Sequence, residues 1–225
     1  PRVAYDQFYQ ELLRLFRRGR RQPGLPVIFS PMMLLFNKAL FKDRGLDFPD
    51  ASWTWDDLFQ AADRLTRVNQ PGLDNRLGFH SYLLNYNRWT MLVRQNDGRI
   101  LDPDRRIVIG HDQASLDALI QAKRWYQERH LSLPMRLIEN NFFQNRRIAM
   151  SLLTFMLSGA YEDTLSHLRG GLGVTTPPRF KRAYTHISMC GVMVNAETKR
   201  KDAVIRFINT LYQPDIFAQF CHRSY

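Results

Sequence analysis

The chain has 225 residues, of which 44% are apolar and 12% aromatic, so it can bury a core in one or two domains. No run of residues approaches the roughly 20 apolar positions that cross a bilayer, and the N-terminal residues lack the basic and apolar regions of a signal peptide. The formal net charge of +11 makes an anionic partner, such as a nucleic acid, the first functional alternative.

In chain order, apolar residues at helical spacing first predict a helix over 5–16 that ends near Gly19. Residues 24–30 are a short apolar run entered through Pro26, which predicts a buried strand. The apolar run that follows predicts a helix over 33–45, closed by the glycine at its end.

The next helix has a well-marked start. Thr54 stands at the N-cap position with Asp57 three residues later, which is the capping-box pair, and Trp53 and Leu58 occupy the positions of a hydrophobic staple. The sequence therefore predicts a capped structural helix here. We interpret its tryptophans, Trp53 and Trp55, as scaffold rather than as a platform for a ligand.

The remaining elements alternate in the same way and predict the α/β class. They are a strand over 75–83, a helix over 87–102 that ends at a turn around Asp97-Gly98, a short strand at 106–110, a helix from Asp112 to about His130, a turn and buried strand within 142–154, strands within 170–178 and 185–195, and two C-terminal helices, the last opened by Pro214.

The sequence contains no motif that specifies catalysis or cofactor binding. It has no glycine-rich dinucleotide or phosphate loop, no His-Glu-x-x-His motif and no Gly-x-Ser-x-Gly elbow. Its six histidines are scattered singly, which favours surface or hydrogen-bonded roles over metal binding or catalysis. We therefore predict no catalytic residue, no metal site and no cofactor, although spacing alone leaves a paired-carboxylate glycosidase open. Cys190 and Cys221 belong to no C-x-x-C pair, and free thiols are favoured over a single disulfide.

The basic residues form dispersed clusters, at 14–21, 145–147, 179–182 and 199–201. None of the clusters has the interleaved aromatic residues of a base-stacking surface. A solvated surface is the favoured interpretation. Nucleic-acid binding, an anionic membrane surface and an acidic protein partner stay open as alternatives.

Several segments, taken in order, resemble one protein family. The segment GLPVIFSPMMLLFNKALFKDRGLDFPDASWTWDDLFQAADRLT (24–66) resembles the signature region of the family 1 extracellular solute-binding proteins, the sugar-binding components of bacterial ABC importers of the maltose-binding-protein type. The similarity continues through NDGRILDPDRRIVIGHDQASLDALIQAKRWYQE, FFQNRRIAM, GVTTPP and AVIRFINTLYQPDIFAQF. Each motif alone is weak, and their common order over nearly all of residues 8–222 carries the resemblance.

The resemblance implies an α/β, periplasmic-binding-protein-like type II fold, with two lobes, hinge crossovers and largely the second lobe present. Residues 1–27 would be a remnant of the first lobe and the first crossover, and 28–183 the second α/β lobe. Residues 184–225 would be the second crossover and helices that return to the first lobe. Because the family's opening strands and last helices have no counterpart here, we expect a chain truncated at both ends.

The resemblance also implies a function. It predicts a non-catalytic component of an ABC-type importer that captures a carbohydrate or related polar solute between two lobes and delivers it to the transmembrane subunits of a permease. We expect a monomer with no nucleic-acid partner, in a periplasmic or extracellular location with a lipid anchor. A basic module that binds nucleic acid or an acidic protein is the alternative.

Sugar sites combine aromatic faces that stack on sugar rings with polar groups that bind hydroxyls. Transferred from the family, the candidate ligand-binding residues are Phe29, Ser30, Tyr82, Asn85, Tyr86, Trp89, Phe155, Met156, Met189 and Gly191. Thr154 and Met156 replace the family's glycine and stacking tryptophan, and Met189-Cys190-Gly191 replaces its Gly-Gly-Trp. These departures imply either a solute that differs from the usual one or no solute at all.

Overall fold

The chain divides into two compact units, unit 1 (Pro1–Ser30 with Ser188–Tyr225) and unit 2 (Pro31–Ile187). The computed structural model describes residues 5–67, 76–81, 83, 85–102, 104, 106–128, 148–154 and 171–223. Within these residues, no helix is long and apolar enough to cross a membrane.

The described elements are a mixture of helices and strands, which fits the predicted α/β class, although several neighbours along the chain are of the same kind. After a 3-10 turn at Tyr5–Gln7 they are α1 (Gln10–Leu15), β1 (Gly24–Asn37), α2 (Lys38–Lys42), α3 (Trp55–Leu65), β2 (Leu77–His80), α4 (Tyr86–Gln95), α5 (Gln113–Glu128), β3 (Ile148–Thr154), β4 (Leu172–Thr175), β5 (Ile187–Met193), α6 (Lys201–Leu211) and α7 (Pro214–Arg223).

The sheet has the strand order β2-β3-β1-β4, and β5 also pairs with β1. β2 and β3 are parallel, with His80 opposite Ser151, whereas β3 and β1 are antiparallel, with Thr154 opposite Met32. β4 is antiparallel to β1 on its other side. The carboxyl ends of β2 and β3 therefore lie at one edge of the sheet, beside Met32 of β1.

The core of unit 2 covers both faces of this sheet. Alternate β1 residues Leu34 and Phe36 belong to a large buried cluster that also contains Trp55, Leu58 and Met150. The intervening residue Leu35 packs with Ile148 of β3 in a smaller cluster on the opposite face. Burial on both faces explains why β1 is an almost continuous apolar run rather than an alternating one.

The predicted start of α3 is confirmed. The backbone N–H of Asp57 donates to Thr54 Oγ1 over 3.3 Å, and the backbone N–H of Thr54 donates to Asp57 Oδ2 over 2.8 Å, which closes the capping box. Trp55 is fully buried and stacks on Trp125 with ring centroids 5.0 Å apart. The scaffold interpretation of Trp55 is therefore borne out.

Unit 1 has a smaller core, in which Leu13, Leu25 and Ile208 are the buried residues. Tyr212 at the end of α6 donates its hydroxyl to the carbonyl of Pro26 over 2.7 Å, and burial raises the pKa of Tyr212 to about 12. Cys190 on β5 is a free, exposed thiol, as predicted. The side chain of Cys221 lies outside the description.

One predicted element has the wrong type of secondary structure over part of its length. The sequence predicts a helix over 33–45, but β1 continues to Asn37 and the helix α2 covers only Lys38–Lys42. Hydrogen bonding to β3 on one side and β4 on the other decides the conformation of this apolar segment. Asn37 then ends the strand and caps α2, since its Oδ1 accepts from the backbone N–H of Ala39 over 3.0 Å.

Other predicted elements differ in extent. The helix predicted over 87–102 is α4, which ends at Gln95, and the first predicted helix is reduced to the turn and α1. The segment 106–110 forms only an isolated bridge, between Ile107 and Leu101. Of the prediction for 142–154, the part over 148–154 is confirmed as β3, and the rest lies outside the described residues.

Candidate functional site

The edge of the sheet where β2 and β3 end is closed by a segment near the end of unit 2. The backbone N–H of Met32 donates to the carbonyl of His186 over 2.8 Å, and Thr185 Oγ1 donates to the carbonyl of Met32 over 2.7 Å. These two bonds fix the His186 backbone beside the carboxyl ends of the strands. In α/β proteins this edge is where ligands usually bind.

The N-terminal turn of α4 presents aromatic side chains in unit 2. Asn85 is the N-cap residue, and its carbonyl accepts from the backbone N–H of Arg88 and of Trp89 over 2.9 and 3.1 Å. Tyr86 and Trp89 are three residues apart and therefore lie on the same side of the helix. Tyr86 is 61% exposed, whereas Trp89 is half-buried. A flat, solvent-facing ring is thus held on a rigid element.

Arg88 holds this turn against the sheet. Its side chain is buried, and its Nη2 donates to the carbonyl of Leu152 in β3 over 2.8 Å. Its Nη1 donates to Asn87 Oδ1 over 2.9 Å. The guanidinium therefore fixes the position of α4 relative to β3 and places a positive charge close to the edge of the sheet.

Tyr86 and His186 contact each other edge to face. Their ring centroids are 5.6 Å apart, with an angle of 86° between the ring planes. Burial lowers the pKa of His186 below its ordinary value, and the positive charge of Arg88 lowers it further. The imidazole is therefore neutral at neutral pH and can both donate and accept a hydrogen bond.

The predicted ligand-binding residues fall into three groups. Asn85, Tyr86 and Trp89 come together at the start of α4. Tyr82, Phe155 and Met156 lie outside the described residues. Phe29, Ser30, Met189 and Gly191 belong to unit 1.

Within unit 1, Phe29 is an exposed aromatic residue of this group. It is 47% exposed and contacts Tyr9 edge to face, with ring centroids 6.3 Å apart. Ser30 is buried and Met189 half-buried. Gly191 lies against Phe16, since a Cβ at this position would come within 2.3 Å of its ring. The glycine is therefore explained by packing inside unit 1.

Sequence reasoning missed Arg88 and His186. They are almost 100 residues apart, and neither belongs to a motif, so only the fold brings them near each other. Among the described residues, no group of three or more His, Cys, Asp or Glu side chains is placed to hold a metal ion. The arrangement provides aromatic surface and neutral hydrogen-bonding groups, which suits an uncharged polar solute.

Comparisons with known proteins identify the fold of the chain. No family model matches the sequence. A curated relative, a probable amino-acid ABC transporter periplasmic-binding protein of Sinorhizobium fredii, is 24% identical over 96% of this chain and 50% of its own length. The chain thus spans about half the length of the curated relative it matches.

Solved structures give a closer match in three dimensions. An ABC substrate-binding protein of Listeria monocytogenes in complex with cycloalternan is similar with a TM-score of 0.80, at 22% identity over 96% of this chain and 54% of that one. A solute-binding protein of Thermotoga lettingae bound with α-D-tagatose has a TM-score of 0.76, at 19% identity over 97% of this chain and 57% of that one. A solute-binding protein of Agrobacterium radiobacter in complex with ribitol has a TM-score of 0.73, at 22% identity over 96% and 56%. The predicted α/β fold of type II periplasmic binding proteins is confirmed for the portion that this chain represents.

Proposed function

We propose that the chain is part of a non-catalytic solute-binding component of an ABC-type importer and that it binds a carbohydrate or a related polyol. The observation that carries the proposal is the exposed ring of Tyr86, held against His186 at the edge of the sheet where β2 and β3 end. A tyrosine face stacks on the C–H face of a sugar, and a neutral histidine binds hydroxyls. Asn85, which is exposed beside Tyr86, adds a donor and an acceptor.

The name of the curated relative raises an amino acid as the solute, but the described site favours an uncharged one. A free amino acid needs a carboxylate for its ammonium group and a cation for its own carboxylate. In the described part of the chain, Arg88 is the charged group that shifts the pKa of His186. Its Nη2 already donates a hydrogen bond to the carbonyl of Leu152. No carboxylate acts on His186 there.

The remaining expectations from the sequence form part of the same proposal. We infer that residues 28–183 are most of the second lobe, and that residues 1–27 and 184–225 belong to the first lobe and the crossovers. The separation of the chain into compact units supports this division. The proposed partner is the transmembrane permease of the importer, and the proposed location is periplasmic or extracellular, with a lipid anchor and a monomeric state.

A thermal-shift screen of the purified chain tests the function. The panel contains monosaccharides, oligosaccharides, polyols and amino acids. A ligand at about 100 times its dissociation constant stabilises the folded state by about 2.7 kcal/mol. For a chain of this size we expect one sugar or polyol class to raise the melting temperature by about 5–10 °C.

Two variants connect the shift to the site. Tyr86→Ala removes the aromatic face on which the sugar would stack. The affinity of this variant for the solute found in the screen should therefore be about 10-fold lower than that of the unchanged chain. Phe207→Ala removes a similarly exposed aromatic ring on α6 and should bind like the unchanged chain. A cooperative melt that no solute shifts would refute the proposed function, and a shift only with amino acids would refute the solute class.

Hydrolysis is tested on the same samples. A solute-binding component leaves a glycoside intact, so no reducing sugar should accumulate when the chain is incubated with oligosaccharides from the panel. Turnover that disappears on substitution of a pair of carboxylates would replace the proposal with a glycosidase.

A further inference from the structure

Four arginines are displayed on a tight hairpin in unit 1. The backbone N–H of Arg18 donates to the carbonyl of Arg21 over 2.9 Å, and that of Arg21 donates back over 3.0 Å. Gly19 has φ +57°, which glycine adopts without strain and which makes this short turn possible. Arg17, Arg18, Arg20 and Arg21 are all exposed, and we call them the arginine hairpin.

The charges of the arginine hairpin are not neutralised within the described chain. Its members form no ion pair there, and Arg17 instead donates through Nε to the carbonyl of Gly19 over 3.0 Å. The described ion pair nearest to it in sequence, Arg14 with Glu11 at 3.8 Å, is highly exposed and therefore weak. Four like charges on one short turn repel each other and create a strongly positive local potential.

An exposed apolar residue lies next to the arginine hairpin. Leu15, the last residue of α1, is 64% exposed, and it is flanked in sequence by Arg14 and by the half-buried Phe16. Arginines beside an exposed leucine suit the boundary of a lipid bilayer, where the charges meet headgroups and the apolar side chain enters the acyl region. A single-stranded nucleic acid would instead favour aromatic rings among the arginines, and the arginine hairpin contains none.

We propose that the arginine hairpin and Leu15 form a contact surface for anionic phospholipid headgroups. This goes beyond the proposed function, because it concerns the lipid surface itself and not the solute or the permease. Each basic residue close to an anionic bilayer favours association by about 5-fold. Several arginines that approach the surface together are therefore enough for reversible, salt-sensitive binding.

Vesicle co-sedimentation with the full chain tests the proposal. Vesicles of phosphatidylcholine alone are compared with vesicles that also contain phosphatidylglycerol. We expect binding only to the anionic vesicles, and we expect it to weaken as salt is raised, since salt screens exposed charges. Failure to bind the anionic vesicles at low salt would overturn the proposal.

Matched variants distinguish vesicle binding by the arginine hairpin from vesicle binding caused by the overall net charge of the chain. The triple variant Arg18→Gln, Arg20→Gln, Arg21→Gln should lower the partition coefficient on the order of 100-fold. The control Lys199→Gln, Arg200→Gln, Lys201→Gln removes three exposed charges from another part of unit 1 and should lower it only slightly. Equal losses in both variants would assign the binding to overall charge and overturn the proposal.

Two further measurements test whether Leu15 takes part in lipid binding and whether the arginine hairpin binds DNA instead. Leu15→Ser keeps every charge and should still weaken binding several-fold, because it removes the side chain that enters the acyl region. Binding of random double-stranded DNA is measured beside the vesicles. If DNA binds more tightly than the anionic vesicles, and the arginine hairpin variant abolishes that binding, the surface is a nucleic-acid site and the lipid proposal is wrong.

Discussion

His186 in the candidate site makes the stability of the folded chain depend on pH. Burial and the charge of Arg88 lower its pKa below the ordinary 6.5, so the unfolded chain binds this proton more readily than the folded chain. Between the lowered pKa and 6.5, stability must therefore rise with pH and fall with acidification. Below the lowered pKa both states are protonated, and the loss no longer grows.

Replacement of His186 by glutamine should flatten this part of the stability curve. We expect the melting temperature of the unchanged chain to fall between about pH 7 and about pH 5 by more than that of His186→Gln, since glutamine does not titrate. The control His111→Gln removes an exposed histidine and should keep the full dependence. Parallel curves for the unchanged chain and His186→Gln would contradict the argument.

Single residues also mark the limit of sequence reasoning. The Thr54 capping box could be predicted because its hydrogen bonds are local. Gln95 could not, although it is fully buried: its Oε1 accepts from Trp55 Nε1 over 2.9 Å, and its Nε2 donates to the carbonyls of Pro178 and Tyr184. Its partners lie up to 89 residues away, so nothing in the local pattern identifies it.

The same distinction holds for whole elements. Helices with a capping signal or a clear apolar face, such as α3 and α5, could be predicted from local pattern. The segment after Pro31 could not, because a short apolar run fits a buried strand and a buried helix equally well. Pairing with β3 and β4 selects the strand, and those partners come more than 100 residues later in the chain.

The contact between α3 and β2 leads to a prediction about element packing. A Cβ at Gly78 of β2 would lie 1.9 Å from the backbone oxygen of Ala62 in α3. Because backbone atoms rather than a flexible side chain would have to move, Gly78→Ala should destabilise the chain by about 3 kcal/mol or more. Urea denaturation followed by circular dichroism gives this free energy of unfolding.

Gly45 provides the control for Gly78. It has φ +59°, and a Cβ there would meet no atom within 4 Å, so Gly45→Ala introduces only backbone strain of about 1–2 kcal/mol. We therefore expect Gly78→Ala to be the more destabilising substitution. Equal effects would mean that the sheet and α3 can separate at little cost.

For the molecule as a whole, the order of several weak motifs identified the fold, and TM-scores of up to 0.80 bear this out. The composition alone allowed any α/β domain. What the motifs could not provide is the set of side chains that distant segments bring to one edge of the sheet, such as Tyr86 and His186.

The unequal cores of the two units predict unequal protection from hydrogen exchange. In unit 2, Leu34 and Met150 lie in a large cluster in the middle of a sheet covered on both faces, so their amides should exchange only when unit 2 unfolds as a whole. In unit 1, the described core contains three buried apolar residues, and α1 has one of them, Leu13. The backbone amides of α1 should therefore exchange through local opening of the helix, orders of magnitude faster than those of unit 2.

Hydrogen exchange followed by mass spectrometry measures this difference, on a peptide from 10–16 for α1 and a peptide from 31–37 for the strand that contains Leu34. Equal protection of these peptides would show that α1 is held by contacts beyond the core of Leu13, Leu25 and Ile208, and would contradict the prediction.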